Sequence, residues 1–417
     1  MAQGSGRFET KPSAPRPSQP ARPRPREMSA DGTQPAAALL TEDTVCAYVS
    51  EKLGAMSGRP PLGNTGLAAR EIHGGNLNYA FEVKDGAGAS VFVKQAPEFI
   101  KVLGKDAKLH RERLQLEVQA MEKMSAVIGE RAAEFIPRLY SFDAENMVFI
   151  SEFLGSHQLL QESLFAGVVS QEIAGKLGEF MGLLHSRTHS SRVSSAEAAE
   201  LAADFSNDAL RAIQLEYVFS KCFREDDRAA DLRADAAFMG ALEELKGAYR
   251  GQHLDDLALL HGDLHAGSVM ADTAAGGVKV IDPEFCIYGP PGLDVGSLIS
   301  TYALAYCFHA ATGNDSRRGL AEAIERIWSS YTQTMEAGGV TSEALESIGR
   351  DAAGFAGCEI ARTACGLAYE RSLRLPDPAA KAEAERQALA VGAACIIGRA
   401  RGLGALTGAL ERYGSFS

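Results

Sequence analysis

The sequence has no excess of positive charge. Its 417 residues hold 42 lysines and arginines against 54 aspartates and glutamates, a formal net charge of −12 at pH 7. Nonspecific nucleic-acid binding requires basic residues that displace counterions from phosphates, so we do not expect nucleic acid as a partner. An acidic surface also repels a free nucleotide, and any ATP site in this chain must therefore be locally basic.

The sequence also lacks long apolar runs and paired cysteines. The longest apolar candidate, residues 298–308, is interrupted by Ser, Thr and Tyr, and its pattern predicts a buried helix rather than a membrane span. The seven cysteines are odd in number and never form a CxxC pair. This pattern argues against a disulfide framework or a zinc site. It favours reduced thiols in a cytoplasmic protein without membrane association.

Large apolar side chains are nearly absent from residues 1–36, which are rich in Pro, Arg, Ser and Ala. Such a segment cannot bury enough surface to offset its chain entropy, so we predict a disordered tail. Residues 1–27 hold six basic and two acidic residues, a composition that also fits an organellar transit peptide. The prolines weaken the amphipathic helix that a transit peptide needs, so we favour the disordered tail and leave organellar targeting open.

The remaining chain is too long for one ordinary hydrophobic core, and two lobes are expected. Strand patterns dominate its first part, and the part after about residue 159 is almost wholly helical. We therefore predict an α+β fold with a small β-rich nucleotide-binding lobe over residues 37–154 and a larger helical catalytic lobe over residues 155–417. Helices are predicted at about residues 294–310, 317–336, 342–371 and 378–402, and polar connections at residues 190–203 and 224–237.

Two aspartates, Asp263 and Asp282, stand 19 residues apart, each in a short loop beside an apolar run. Between them, residues 268–271 and 278–281 flank a glycine-containing turn, which predicts a β-hairpin. A hairpin brings both carboxylates to one end of the structure. One carboxylate that accepts a hydroxyl proton, beside another that holds a metal ion, is the minimal equipment of a phosphotransferase.

Residues upstream of this hairpin fit the same chemistry. Residues 79–83 and 91–94 predict a second hairpin, and Lys94 ends its returning strand. Glu117 lies on a predicted helix at residues 110–128. A strand lysine and a helix glutamate form the pair that holds the α- and β-phosphates in kinases. The apolar strand at residues 147–154 then occupies the position of a kinase hinge, where backbone groups meet the adenine edge.

The motif residues suit phosphoryl transfer individually as well. Asp263, in HGDLH, is the candidate base for the attacking hydroxyl. Asp282 and Glu284, in Asp-Pro-Glu, supply the hard oxygen ligands that Mg²⁺ prefers, and Ser268 is a weaker candidate ligand. A single loop aspartate is more often a turn cap than a catalyst. The joint occurrence of hairpin, lysine, glutamate and hinge strand favours catalysis.

Five segments of the chain, HGDLHAGS, VIDPEFCIYGPPGLDVG, GGNLNYAF, VKQAP with a following VLG, and FAGCEIARTACGLA, resemble the 5-methylthioribose kinases. That family belongs to the aminoglycoside-phosphotransferase branch of the protein-kinase-like fold. The similarity runs from about residue 40 to beyond residue 390. The HGD core is common to many small-molecule kinases, whereas its combination with DPEFxxYGPxGxD and FAGCE is much more specific.

The resemblance implies a homodimeric enzyme that phosphorylates the 1-hydroxyl of methylthioribose with MgATP, in methionine salvage. It implies Asp263 as the base and Arg362 as a second substrate-binding residue, with Asp282 and Glu284 holding the metal. The nucleotide-binding positions that it implies are Asn78, Lys94, Glu117, Glu152, Phe153, Leu154, Asp282, Pro283 and Glu284. Within that set Glu117 would orient Lys94, and residues 152–154 would form the adenine hinge.

Three positions depart from the family's usual residues. Gly74 replaces an acid before GNLNY, the segment around Ala107 lacks a tryptophan, and Thr363 replaces the second of two arginines. All three concern the substrate side rather than the ATP machinery. A related kinase for another sugar, an amino alcohol or an aminoglycoside is therefore the main alternative. A catalytically silent kinase-like binding protein is a further one, although such proteins usually lose the lysine or an aspartate that this chain keeps.

Overall fold

The computed structural model describes residues 38–56, 58, 60–73, 75, 77–251, 256–367 and 373–413. The predicted tail at residues 1–36 and the position Gly74 lie outside these residues. The described residues from Leu39 onward form one compact unit. The lobe boundary predicted after Leu154 stays a prediction.

The strands of the described residues are β1 (Ala68–Glu71), β2 (Tyr79–Lys84), β3 (Ser90–Gln95), β4 (Leu139–Asp143), β5 (Val148–Glu152), β6 (Gln158–Leu159), β7 (Ala258–Leu260), β8 (Val269–Asp272), β9 (Gly277–Val280) and β10 (Ile287–Gly289). The helices are α1 (Glu42–Lys52), α2 (Arg113–Ile128), α3 (Ala132–Phe135), α4 (Leu160–Phe165), α5 (Gln171–Thr188), α6 (Ser195–Asp204), α7 (Asp208–Tyr217), α8 (Lys221–Glu225), α9 (Ala230–Ala234), α10 (Ala236–Tyr249), α11 (Gly292–Thr312), α12 (Arg317–Ala337), α13 (Ser342–Ala364), α14 (Pro378–Gly398) and α15 (Gly404–Tyr413). The predicted α+β class is confirmed, with the main sheet first and mostly helices after it.

Strands β1 to β5 form one antiparallel sheet in the order β1-β2-β3-β5-β4. Side chains alternate between the faces of a strand, so the apolar residues of β2 and β3 share one face. That face packs on Val45 and Val49 of α1, with Val91 and Val93 of β3 among its buried residues. Lys94 follows Val93 and therefore emerges on the opposite face.

The hairpin predicted between the two aspartates is present as β8 and β9. Val269 pairs with Val280 and Asp272 with Gly277, so both ends of the hairpin are in register. Asp272 Oδ1 accepts hydrogen bonds from Ala274 N at 3.1 Å and from Ala275 N at 3.0 Å, which closes the turn. The loops that precede β8 and follow β9 consequently start side by side.

The helical part has a continuous core built on α5 and α11 to α14. Helix α11 contains the apolar run at residues 298–308 and is buried along most of its length, as predicted. Gly296 lets it approach α13 closely, since a Cβ there would lie 2.7 Å from Ala352 O. No described helix is long and apolar enough to cross a membrane.

Two predictions of secondary structure were wrong in detail. The segments expected to be polar connections, residues 190–203 and 224–237, contain most of α6, all of α9 and the start of α10. Ser194 and Asp235 cap α6 and α10 by accepting backbone hydrogen bonds, which offsets the weak apolar pattern. Helix α13 ends at Ala364 rather than near residue 371, because Gly366 takes a positive φ of 77°.

Candidate active site

Lys94, Glu117 and Asp282 meet at the inner face of the sheet. Lys94 Nζ donates to Glu117 Oε1 at 2.7 Å and to Asp282 Oδ1 at 2.6 Å. Lys94 and Asp282 are 188 residues apart in the sequence. The ammonium group of Lys94 nevertheless joins Asp282 to Glu117. Burial opposes the charge of Lys94, but the nearby carboxylates outweigh it and raise its pKa. The lysine is therefore a permanent cation in this site.

Asp282 adopts an unusual backbone conformation, with φ 60° and ψ 48°. A residue other than glycine occupies this left-handed region at a cost of about 1–3 kcal/mol, so neighbouring contacts must hold it. Pro283 follows and starts a short 3₁₀ turn, Pro283–Phe285. Asn207 Nδ2 fixes that turn by donating to Glu284 O at 2.9 Å and to Cys286 O at 3.2 Å.

The carboxylates in this cluster outnumber its cations. Glu117, Asp282 and Glu284 lie around Lys94 and Arg113. Burial raises the pKa of Glu117 and of Glu284, and the cations oppose that rise. Glu117 Oε2 is buried and has no hydrogen-bond partner among the described residues. The neighbouring carboxylates add to the rise in both pKa values, so a further positive charge would favour the ionised forms of these acids.

Asp282 and Glu284 fit a magnesium ion by their chemistry. Mg²⁺ binds proteins through one or two carboxylates and completes its shell with phosphate oxygens and water. The Asp282 side chain is 46% exposed and uses only Oδ1 for Lys94, so the carboxylate can receive a ligand. In the described part of the chain, no three His, Cys, Asp or Glu side chains form a ready-made metal cage. This arrangement suits an ion that arrives with a nucleotide.

Asn78, the predicted nucleotide contact before β2, belongs to the same cluster. Its Nδ2 donates to Glu284 Oε2 at 3.4 Å, and its Oδ1 accepts from Arg113 Nη2 at 2.8 Å. Arg113 was not predicted as a site residue. It is the first residue of α2, and the sequence pattern there predicted only an amphipathic helix.

The loop that carries Asp263 is held by the buried carboxylate of Asp294. Asp294 Oδ2 accepts from His261 N at 2.8 Å, and Oδ1 accepts from Gly262 N at 2.9 Å. Gly262 has φ 87°, and a Cβ there would meet Phe285 O at 2.0 Å. Only glycine fits this position, which explains the glycine of the HGD motif.

The two histidines of HGDLH shape the loop by hydrogen bonds to backbone groups. His261 Nε2 lies 2.8 Å from Ile281 O, and His265 Nδ1 accepts from Gly267 N at 2.9 Å. Ser268 Oγ donates to Asp263 O at 3.0 Å, so this hydroxyl stabilises the loop. The Asp263 carboxylate itself lies 3.6 Å from His265 Nε2.

Arg362 of α13 reaches the same region from the helical part. Arg362 Nε donates to Glu359 Oε2 at 2.5 Å. Burial opposes the charge of Arg362, but Glu359 and then Asp263 outweigh it and raise its pKa. A cation next to the predicted base can bind an anionic or hydroxyl-bearing group there. Glu359, which accepts this hydrogen bond, belongs to the FAGCE motif, but no role was predicted for it.

The predicted hinge residues Glu152, Phe153 and Leu154 lie where β5 leaves the sheet, apart from the lysine cluster. Glu152 Oε2 accepts from Lys279 Nζ at 2.9 Å, which ties β5 to the β8–β9 hairpin. Phe153 lines a cavity of about 860 Å³ that strands β1 to β3 also border. That volume lies within the range of small-molecule sites.

Comparison with known proteins agrees with this chemistry. The family model described as "Phosphotransferase enzyme family" matches residues 68–337, which is more than half of the chain. The chain belongs to this phosphotransferase family. As a member it is an ATP-dependent kinase of small molecules with an alcohol acceptor, as predicted.

Several relatives within the phosphotransferase family are methylthioribose kinases. That of Bacillus cereus is 32% identical over 78% of this chain and 86% of its own length. That of Klebsiella pneumoniae is 28% identical over 79% of this chain and 88% of its own length. Among solved structures, a choline kinase from Cryptosporidium parvum is similar with a TM-score of 0.47 and 12% identity, over 83% of this chain and 94% of that one. The resemblance to methylthioribose kinases inferred from the motifs is confirmed.

Proposed function

We propose that the chain transfers the γ-phosphoryl group of MgATP to the 1-hydroxyl of 5-methylthioribose, a step of methionine salvage. The observation that carries the kinase chemistry is the ammonium group of Lys94 between Glu117 and Asp282, at 2.7 Å and 2.6 Å. The sugar is proposed from the relatives, which are named methylthioribose kinases and cover most of the chain.

The residues divide into a nucleotide group and an acceptor group. Lys94, oriented by Glu117, would bind the phosphates, and Asn78 would donate to a phosphate oxygen. Residues 152–154 would receive the adenine edge. Asp282 and Glu284 would hold Mg²⁺, which supplies charge neutralisation at the phosphates.

Asp263 would accept the proton of the attacking hydroxyl, because its carboxylate lies close enough to Glu284 and to Arg362 to act on the charge of both. Arg362 would bind the sugar or the phosphoryl group in transit, since its guanidinium stays protonated. Among the described residues, its hydrogen bond to Glu359 engages only Nε, and the two outer nitrogens would receive the ligand. Positioning and charge stabilisation of this kind account for most of phosphoryl-transfer catalysis.

The acceptor is tested by ADP release from purified protein with methylthioribose, against ribose, other sugars, choline, ethanolamine and an aminoglycoside. We expect methylthioribose to give the highest kcat/KM. Fast turnover of another acceptor, with methylthioribose inert, would reject the proposed substrate and keep the kinase.

Asp263→Asn tests the proposed base. A general base contributes about 10²–10⁴-fold, so kcat should fall by that factor while the KM for MgATP stays within about threefold. Asp272→Asn is the matched control, because its carboxylate closes the β8–β9 turn and bonds Ser156 at the end of the hairpin away from Asp263. A rate near that of the unchanged protein in Asp263→Asn would show that another group takes the proton.

A second candidate is a kinase for a different small alcohol. Thr363 favours it, because Thr363 Oγ1 donates to Glu359 O at 2.9 Å and brings no charge to the substrate side. Where the family usually has an arginine, this chain thus has a side chain bonded to its own helix. The acceptor panel distinguishes the two candidates.

A further inference from the structure

Arg113 is a buried arginine behind the candidate nucleotide site. It is 7% exposed and occupies the first residue of α2, one helical turn before Glu117. An arginine is rarely buried unless it is paired. The proposed function so far gives it no part.

Its guanidinium group joins two separate segments. Nη2 donates to Asn78 Oδ1 at 2.8 Å and to Leu77 O at 3.1 Å, both in the segment before β2. Nη1 donates to His110 O at 2.7 Å and to Pro97 O at 3.0 Å, in the segment that leads from β3 into α2. The planar fork of arginine makes all four contacts possible from one side chain.

The contact with Asn78 also decides how the Asn78 amide is oriented. A guanidinium group has only donors, so the atom facing it must be the amide oxygen. The NH₂ group then points the other way, towards Glu284 Oε2 at 3.4 Å. In the opposite orientation, two donors would face each other at Arg113 and two acceptors at Glu284. Arg113 therefore presents Asn78 as a donor to the side where acidic and phosphate oxygens gather.

Arg113 Nε is buried and has no hydrogen-bond partner in the described part of the chain. An unpartnered buried donor lowers stability, and a side chain kept only for folding would not be expected to retain one. Burial lowers the pKa of Arg113, and Glu284 and Glu117 offset only part of that effect. The arginine is thus held by the acids of the site as well as by the backbone.

We propose that Arg113 is a positioning residue of the nucleotide site, which locks the Asn78 amide with its NH₂ group towards the nucleotide phosphates and ties residue 77 to the start of α2. This inference rests on the proposed contact of Asn78 with nucleotide. It requires no particular acceptor sugar.

The test measures nucleotide affinity directly, by calorimetric titration with Mg²⁺ and a non-hydrolysable ATP analogue. Arg113→Met keeps the length and apolar stem of the side chain and removes the donors. We expect affinity to fall about tenfold, and Arg113→Lys to remain impaired because an ammonium group lacks the planar fork. Arg111→Met, on the neighbouring arginine that lies 3.9 Å from Glu98, should bind as the unchanged protein does.

Asn78→Asp separates orientation from folding. Aspartate keeps the acceptor for Arg113 but places a carboxylate beside Glu284, so the melting temperature should fall by no more than in Asn78→Ala. It lacks the NH₂ donor and adds a negative charge, so affinity should fall at least as far as in Asn78→Ala. When Arg113→Met is added to Asn78→Ala, affinity should fall by less than about threefold relative to Asn78→Ala alone. The reason is that the effect of Arg113 passes through Asn78.

Three results would overturn the proposal: full affinity in Arg113→Met, full affinity in Asn78→Asp, or effects of the two substitutions that multiply completely. Failure of the acceptor assignment is distinguishable from these, because nucleotide binding is measured without acceptor.

Discussion

At the scale of single residues, the site depends on carboxylates whose surroundings differ. Asp282 is held by Lys94 in a left-handed backbone conformation, and Glu117 is buried with one oxygen unpartnered among the described residues. Asp294 instead gives both oxygens to backbone N–H groups and to His185. Asp282 is partly exposed and keeps an oxygen for a ligand, Glu117 is buried against Lys94, and both oxygens of Asp294 are used by the loop that carries Asp263.

Asp294→Asn tests that structural role. Asparagine keeps one acceptor and turns an NH₂ group towards a backbone N–H of the HGD loop, in a fully buried position. The free energy of unfolding should fall by about 2–3 kcal/mol, as expected when a buried hydrogen bond to a charged group is replaced by a clash of donors. Chemical denaturation measures it. The kcat should fall as well, while affinity for the MgATP analogue stays within about threefold.

The control for Asp294→Asn is Asp377→Asn. Asp377 caps α14 from an exposed position by accepting from Ala380 N at 2.7 Å, and asparagine caps helices equally well. No loss of stability is expected there. Equal losses in the two variants would mean that the burial of Asp294 has no special importance.

At the scale of elements, strong local patterns could be predicted and long-range contacts could not. The hairpin of β8 and β9 was predicted because two short strand-like segments and a glycine-containing turn lie within 14 residues. The Lys94–Glu117 contact was inferred by analogy with kinases, and the structure brings the two together. Arg113 and Asp294 carry no local signal, because their importance arises only when α2 and α11 pack against loops far away in the sequence.

Helix α1 shows how one such long-range contact holds an element in place. Asp143, at the end of β4, accepts from Tyr48 Oη at 3.0 Å and lies 3.0 Å from Lys52 Nζ. It also accepts from Asn146 N at 3.1 Å. Burial opposes the charge of Asp143, but these donors outweigh it and hold its pKa below the ordinary value of 3.8.

The pKa of Asp143 predicts a pH-dependent contribution to stability. A carboxyl group whose pKa is lower in the folded state stabilises the fold above the unfolded-state value, and the stabilisation is lost as the pH falls below that value. Asp143→Asn should cost about 2 kcal/mol at pH 7. At pH 3 the difference from the unchanged protein should shrink by about 1 kcal/mol, since protonation of the unfolded chain removes part of the advantage.

Urea denaturation at pH 7 and pH 3 measures both values for Asp143→Asn. Glu145→Gln is the control, because it removes a charge nearby and keeps the acceptor of Tyr48 and Lys52. A difference for Asp143→Asn that stays constant or grows at pH 3 would contradict the assigned cause.

At the scale of the whole molecule, the proposed machinery spans the chain from Asn78 to Arg362. The proposed nucleotide residues lie around the sheet and α2. The proposed base, Asp263, lies in the loop between β7 and β8, and Asp294 and Arg362 lie on α11 and α13. The β8–β9 hairpin connects the proposed acceptor residues with the proposed nucleotide residues, because Asp263 precedes the hairpin and Asp282 follows it. One small hairpin thus sets the relation between Asp263 and Asp282, the residues proposed as base and metal ligand.

The tail at residues 1–36 has no residue in this machinery, so its removal should leave catalysis unchanged. We expect kcat and the KM for MgATP of a chain that starts at residue 37 to stay within about twofold of the full chain. The family resemblance also predicts a homodimer, and light scattering after gel filtration should give twice the chain mass for both forms. A tenfold loss of activity would assign the tail a part in catalysis. If the full chain is a dimer and the shortened chain is not, the tail takes part in assembly. If the full chain is a monomer, the predicted homodimer is wrong.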